Sequence, residues 1–86
     1  MQITDVKVRK VLNEGRMKAV VSVTFDDAFV VHDIKVVEGK SGLFVAMPSR
    51  RRPNGDFRDV AHPITSDARR QLEEAVLNAY NSALQQ

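Results

Sequence analysis

Cysteine and tryptophan are both absent from this 86-residue chain, and tyrosine occurs once. Without cysteine there is no disulfide, no thiolate metal site and no thiol nucleophile, so the fold must rest on packing alone, as suits a reducing compartment. Long apolar runs are missing too. No stretch approaches the roughly 20 apolar residues of a membrane span, and the charged, alternating start MQITDVKVRK lacks the continuous apolar segment of a signal peptide. These absences predict a cytoplasmic protein with no membrane span. Strong net charge is also lacking: 13 Lys and Arg against 11 Asp and Glu leave +2, which excludes a polybasic tail protein but permits a local basic patch. Glycine and proline are scarce, at 4 and 3, and they punctuate the chain between its patterned segments. A chain this short buries only about 60 to 65% of its unfolded surface. One domain over residues 1–86 is expected, with a small core that a second copy would help to stabilise.

What is present is mostly strand. Ile3 to Val11 alternates Val6 and Val8 with Lys7 and Arg9, the period-2 pattern of a strand with one dry and one wet face. Asn13-Glu14-Gly15-Arg16 supplies turn chemistry. Met17 to Phe25 alternates most cleanly, with Met17, Ala19, Val21, Val23 and Phe25 on one face. After the acidic turn Asp26-Asp27-Ala28, Phe29 to Val37 is β-branched but out of register with itself, which predicts a bulge or burial on both faces. A turn over Glu38–Gly42 leads into a short strand, Leu43 to Met47, which Pro48 ends because it has no N–H to donate. Ser49 to Asp56 reads as loop, with Asn54-Gly55 as its turn signal, and Phe57 to Ala61 returns as the fifth strand, giving with Leu43 to Met47 a β-hairpin whose tip is arginine-rich. The strands all lie within residues 2–62. Pro63 keeps His62 out of the helical region, Thr65 or Ser66 can cap, and residues 66 to about 84 carry an apolar stripe through Ala68, Leu72, Val76, Ala79 and Ala83 that Leu84 widens. The prediction is an antiparallel sheet of about five strands with one C-terminal helix packed on it.

Arginines carry the chemistry. Arg50, Arg51 and Arg52 lie between a proline-broken strand and an Asn-Gly turn, where only Asp56 and Asp59 are near enough in sequence to neutralise them. Guanidinium groups suit planar, bidentate recognition of phosphate, and a basic loop gives salt-dependent affinity for nucleic acid. Arg69 and Arg70 stand in the first helical turn, where a cation opposes the macrodipole by about 0.3 to 1 kcal/mol. Together with backbone N–H groups they could favour phosphate there. The plain alternatives are a solubilising charged face and surface pairing of Arg69 and Arg70 with Glu73 and Glu74.

Other chemistry is poorly served. The 2 histidines, His32 and His62, have no metal-ligand spacing, so no metal or other cofactor is expected. No nucleophile elbow and no glycine-rich phosphate loop occurs, which argues against an enzyme and leaves no catalytic residue to nominate. The aromatics fall mostly at core positions, with Phe44 and Phe57 beside the basic loop as the exceptions for base stacking.

The stretch GLFVAMPSRRRPNGDFRDVAHPITSDAR followed by QLEEAVLNAY resembles the SpoVG family, the stage V sporulation protein G or septation regulators of bacteria, and ITDVKVRKV with the strand to Phe25 matches as well. That resemblance implies a small α+β fold assembled as a homodimer. It also implies a site-preferring DNA-binding regulator that binds RNA too, linked to sporulation and septation. Basic residues at the start of the C-terminal helix are the family's nucleic-acid positions, and Arg69 and Arg70 occupy them here; Arg50 to Arg52 follow less directly, since that loop varies. The other function to weigh is a protein-interaction module of the cell-division machinery that does not itself bind nucleic acid.

Overall fold

The computed structural model describes residues 1–12 and 15–85. Its elements in chain order are β1 (Ile3–Val11), β2 (Met17–Phe25), β3 (Phe29–Gly39), β4 (Gly42–Ala46), β5 (Ser49–Arg51), β6 (Phe57–Asp59) and α1 (Ser66–Leu84). The first four strands form an antiparallel meander in the order β1-β2-β3-β4, and β5 pairs with β6 in a separate two-stranded sheet. The class is therefore α+β, as expected, but among the described residues the strands number six in two sheets, where the sequence predicts one sheet of about five.

The reason for that difference is local. β4 turns back on β3 through the tight pair Gly39↔Gly42, so its partner precedes it in the chain. Pro48 then separates β4 from β5. The sequence predicts loop for Ser49 to Asp56, yet Pro53-Asn54-Gly55 alone makes the reversal: Gly55 N donates to Arg52 O at 2.9 Å, Arg52 N to Asp56 O at 2.6 Å, and Gly55 sits at φ +93°. A three-residue turn closed by a left-handed glycine leaves Ser49–Arg51 free to pair with Phe57–Asp59. Charge did not prevent strand formation, because every residue from Ser49 to Val60 is exposed.

The core lies between the meander and α1, which contacts all four of its strands. β2 contributes Ala19, Val21 and Val23, β3 contributes Ile34 and Val36, and Val45 and Met47 complete the sheet side. From the helix come Leu72, Val76 and Tyr80, spaced by four so that they share one face. Leu84, expected to widen that stripe, is 53% exposed.

The irregularity foreseen in β3 is a bulge. The β2–β3 register shifts between Val21 and Val23, opposite Asp33, which takes φ +62°. Strict alternation would send Val31 and Ile34 to opposite faces; the extra residue resets it, so both pack into the core. The turn into β3 is strained as well. Asp26 and Asp27 both have positive φ, at 53° and 52°, and β1 holds them there. Gln2 N donates to Asp26 Oδ1 at 2.9 Å, Asp26 N to Gln2 O at 2.8 Å, and Asp27 N to Thr4 Oγ1 at 2.9 Å. Of the turn expected at residues 13–16, Asn13 and Glu14 lie outside the described residues; Gly15 has φ +79° and Leu12 N donates to Lys18 O at 2.8 Å.

Thr65 is the N-cap, its side chain accepting from Ala68 N at 3.1 Å. Among the described residues no helix is long and apolar enough to cross a membrane. Because Leu72 is the helix's largest buried aliphatic side chain at 4% exposure, Leu72→Ala should cost about 2–5 kcal/mol through lost burial and a residual cavity. Urea denaturation would measure it, and an unchanged midpoint would show that α1 does not seal the sheet.

Candidate nucleic-acid interface

The β5–β6 ribbon stands apart from the rest of the molecule. No Cα of either strand comes within 8 Å of a Cα in the meander or in α1. It is an arm, and arginine is its main content. In register Ser49 faces Asp59, Arg50 faces Arg58 and Arg51 faces Phe57. Further bonds extend the ladder at both ends, with Val60 N donating to Pro48 O at 2.8 Å and Arg52 N donating to Asp56 O. Since successive strand residues point to opposite sides, Arg50, Arg52, Arg58 and Asp56 share one face while Arg51, Phe57, Ser49 and Asp59 share the other. Arg50, Arg51, Arg52, Pro53, Arg58, Asp59 and Val60 line an open concavity of about 480 Å³ that reaches residues of both faces.

Arg50 directly opposite Arg58 is unfavourable by itself. Like charges facing across an antiparallel pair repel, and opposite charges there would instead contribute about 0.2–1 kcal/mol. The arm's two carboxylates, Asp56 and Asp59, make no ion pair with its arginines. Among the described residues the ion pairs are Lys18–Glu38 at 3.6 Å and Arg70–Asp67 at 3.2 Å, so no arm arginine has a carboxylate within 4.0 Å. Asp56, expected as a neutraliser, is held by Asn54, whose Nδ2 donates to Asp56 Oδ2 at 3.3 Å while Asp56 N donates to Asn54 Oδ1 at 3.1 Å.

At the start of α1 the arrangement is different. Arg70 Nη2 donates to Asp67 Oδ1 at 3.2 Å, one turn back, so the pairing anticipated with Glu74 does not form. Sequence spacing offered either partner, and Asp67 also lies nearer the positive end of the helix. With side-chain exposures of 66% and 80% this pair is weakly held and opens readily. Arg69 is half-buried and has no carboxylate partner among the described residues, so it is not paired with Glu73 either. The structure thus gathers Arg50, Arg51 and Arg52 on one arm and keeps Arg69 and Arg70 on a separate element that the arm strands do not touch.

Arg58 was missed in the sequence. Counting outward from the Pro53-Asn54-Gly55 turn would have set it opposite Arg50 and Phe57 opposite Arg51. A second polar cluster, on the outer face of the meander, was missed as well: Ser22 is 4% exposed, Arg9 Nε donates to its Oγ at 3.2 Å, and His32 Nδ1 lies 2.8 Å from the same oxygen. It satisfies a buried hydroxyl and explains why His32 sits at the bulge. Among the described residues no group of three His, Cys, Asp or Glu is placed to hold a metal ion.

A meander sealed on one face by a C-terminal helix, with a basic two-stranded arm between them, defines a small α+β protein built around a projecting ribbon. The sequence profile of SpoVG matches residues 1–82. The chain is 71% identical over 84 residues to a Heliobacterium modesticaldum protein named "Putative septation protein SpoVG", covering 98% of this chain and 94% of that one. Proteins of the same name from Desulforudis audaxviator and Caldanaerobacter subterraneus are 70% and 66% identical, over 93% and 96% of this chain and 91% of each relative. The chain belongs to the SpoVG family.

If repulsion between Arg50 and Arg58 limits the arm, Arg58→Glu should strengthen it by about 0.2–1 kcal/mol. Amide hydrogen exchange at Arg52 and Val60, whose N–H groups bond across the ribbon, should then slow; equal or faster exchange would refute the repulsion.

Proposed function

We propose that this SpoVG-family chain is a nucleic-acid-binding regulator, site-preferring on DNA and able to bind RNA, that works as a homodimer. Arg50, Arg51 and Arg52, joined by Arg58, hold phosphates along the arm, and Arg69 and Arg70 hold them at the start of α1. One observation carries this reading: arginines set face to face on an exposed ribbon, with no carboxylate in ion-pair range among the described residues. That arrangement raises the energy of the free arm and is relieved when phosphates stand between the guanidinium groups. The relatives' name connects the family to septation, and a nucleic-acid-binding regulator is the form in which we assign that connection to this chain. Phosphate contacts supply affinity and register, and sequence preference needs base-edge contacts in addition.

Dimerisation rests on a different feature. Phe29, Val60 and Ile64 are 65%, 68% and 88% exposed in a chain with a small core. Phe29 and Val60, with Val20 and Val30, line a concave region of about 570 Å³ beside the sheet. Apolar surface of this kind is normally covered, and a second copy is the cover that the small core calls for. The same surface favours the second reading, a protein-interaction module of the division machinery.

Each phosphate contact removed should lower the log–log salt slope of binding by roughly one unit. Arg50→Ala with Arg58→Ala, and separately Arg69→Ala with Arg70→Ala, should each reduce slope and affinity in gel-shift titrations at several salt concentrations. Wild-type slope and affinity in both would end the assignment and leave the interaction module, which a nuclease-insensitive pull-down would support. Light scattering should give twice the chain mass at micromolar concentration; a monomer mass would refute the dimer.

A further inference from the structure

The arm presents an aromatic ring that the core cannot use. Phe57 is 70% exposed, and its strand is out of Cα reach of the meander and of α1. Directly across the ribbon stands Arg51. Side chains opposed in this way start about 5 Å apart, close enough for a guanidinium plane and an aromatic ring to lie side by side as one flat, cationic surface. Arg50, Arg52 and Arg58 occupy the opposite face with Asp56, so one side of the ribbon offers charge alone and the other offers a guanidinium beside a ring, with Asp59 next along that face.

We infer that the Arg51–Phe57 face of the arm is a stacking site for an unpaired base, so that the arm binds single-stranded nucleic acid or unpaired loops in preference to duplex. This rests on the nucleic-acid reading above and names the form of ligand. A double helix keeps its base faces inside the stack and offers only edges and phosphates to an exposed ring. An unpaired nucleotide offers a π face to Phe57 and a phosphate to the neighbouring guanidinium groups, whatever its base. The charge pattern therefore explains affinity for either form, while the exposed ring serves only the unpaired one.

The absence of tryptophan makes the test direct, because Phe57→Trp introduces a single reporter. Its emission should be quenched by thymidine and uridine oligomers of about 20 nucleotides and far less by a duplex of equal length. Phe57→Ala should weaken single-strand binding about 10- to 100-fold, the usual cost of losing one stacked base. It should leave duplex affinity within about twofold and thermal stability unchanged, since the ring supports no core contact, and Phe57→Tyr should retain binding. Undiminished single-strand affinity in Phe57→Ala would overturn the inference. So would a blue-shifted emission from the Phe57→Trp variant that responds to neither oligomer, which would show the ring covered by a second copy. Loss of all binding in the Arg50→Ala, Arg58→Ala variant alongside a silent Phe57→Ala would leave the nucleic-acid reading standing without the stacking site. No binding of any oligomer by the wild-type chain would remove both.

Discussion

A four-stranded sheet has two faces, and α1 covers only one of them. Leu72, Val76 and Tyr80 seal the inner face against Val21, Val23, Ile34 and Val36. Each fully buried side chain of this kind is worth about 1.5–3 kcal/mol, which is modest against the entropy of ordering a chain this size. The register of the sheet therefore has to serve that single interface. The bulge at Asp33 shows the constraint acting: a residue enters the left-handed region so that Val31 and Ile34 can both reach the helix side. The hydrogen bonds that hold Asp26 and Asp27 in their strained turn fix β1 beside β2 for the same interface.

With the inner face taken, the remaining apolar and basic residues are left outside. On the outer face Ser22 is satisfied by Arg9 and His32, while Val30 stays 43% exposed; Phe29, on the helix side beside Phe25 and Val31, is 65% exposed at the open edge of that face. No Cα of the arm strands lies within 8 Å of the meander strands or α1, and none of their side chains belongs to the core. A two-stranded ribbon is marginal alone, and this one also sets two arginines against each other. Stability by itself would not favour such a segment. Its two faces differ in polarity: three guanidinium groups and Asp56 on one, a guanidinium, a phenyl ring and Asp59 on the other.

The two basic sites differ in electrostatic character. Arg70 already has a partner in Asp67, and Thr65 already accepts from Ala68 N, so part of the helix terminus is satisfied internally. The arm arginines have no such partner among the described residues. A polyanion arriving at the helix must displace a weak ion pair, whereas at the arm it only relieves repulsion.

Much of this was legible in the residues. Alternation in Ile3–Val11 and Met17–Phe25 marked β1 and β2, the broken pattern after Phe29 marked a bulge, and the stripe through Leu72 and Val76 marked α1. Such patterns are set by which side chains must leave water, and periodicity records that directly. The arginine positions and the family were also readable from sequence alone. Pairing was not. Whether β4 joins β3 or the strand after it, and whether three arginines form a loop or the edge of a ribbon, depends on which backbone segments meet, and an exposed ribbon carries no apolar alternation to announce itself. Only the tertiary structure decided that the Pro53-Asn54-Gly55 turn closes a ribbon of its own. Once it does, the count outward sets Arg58 opposite Arg50 and Phe57 opposite Arg51, because cross-strand neighbours are chosen by the turn between them rather than by the residues themselves.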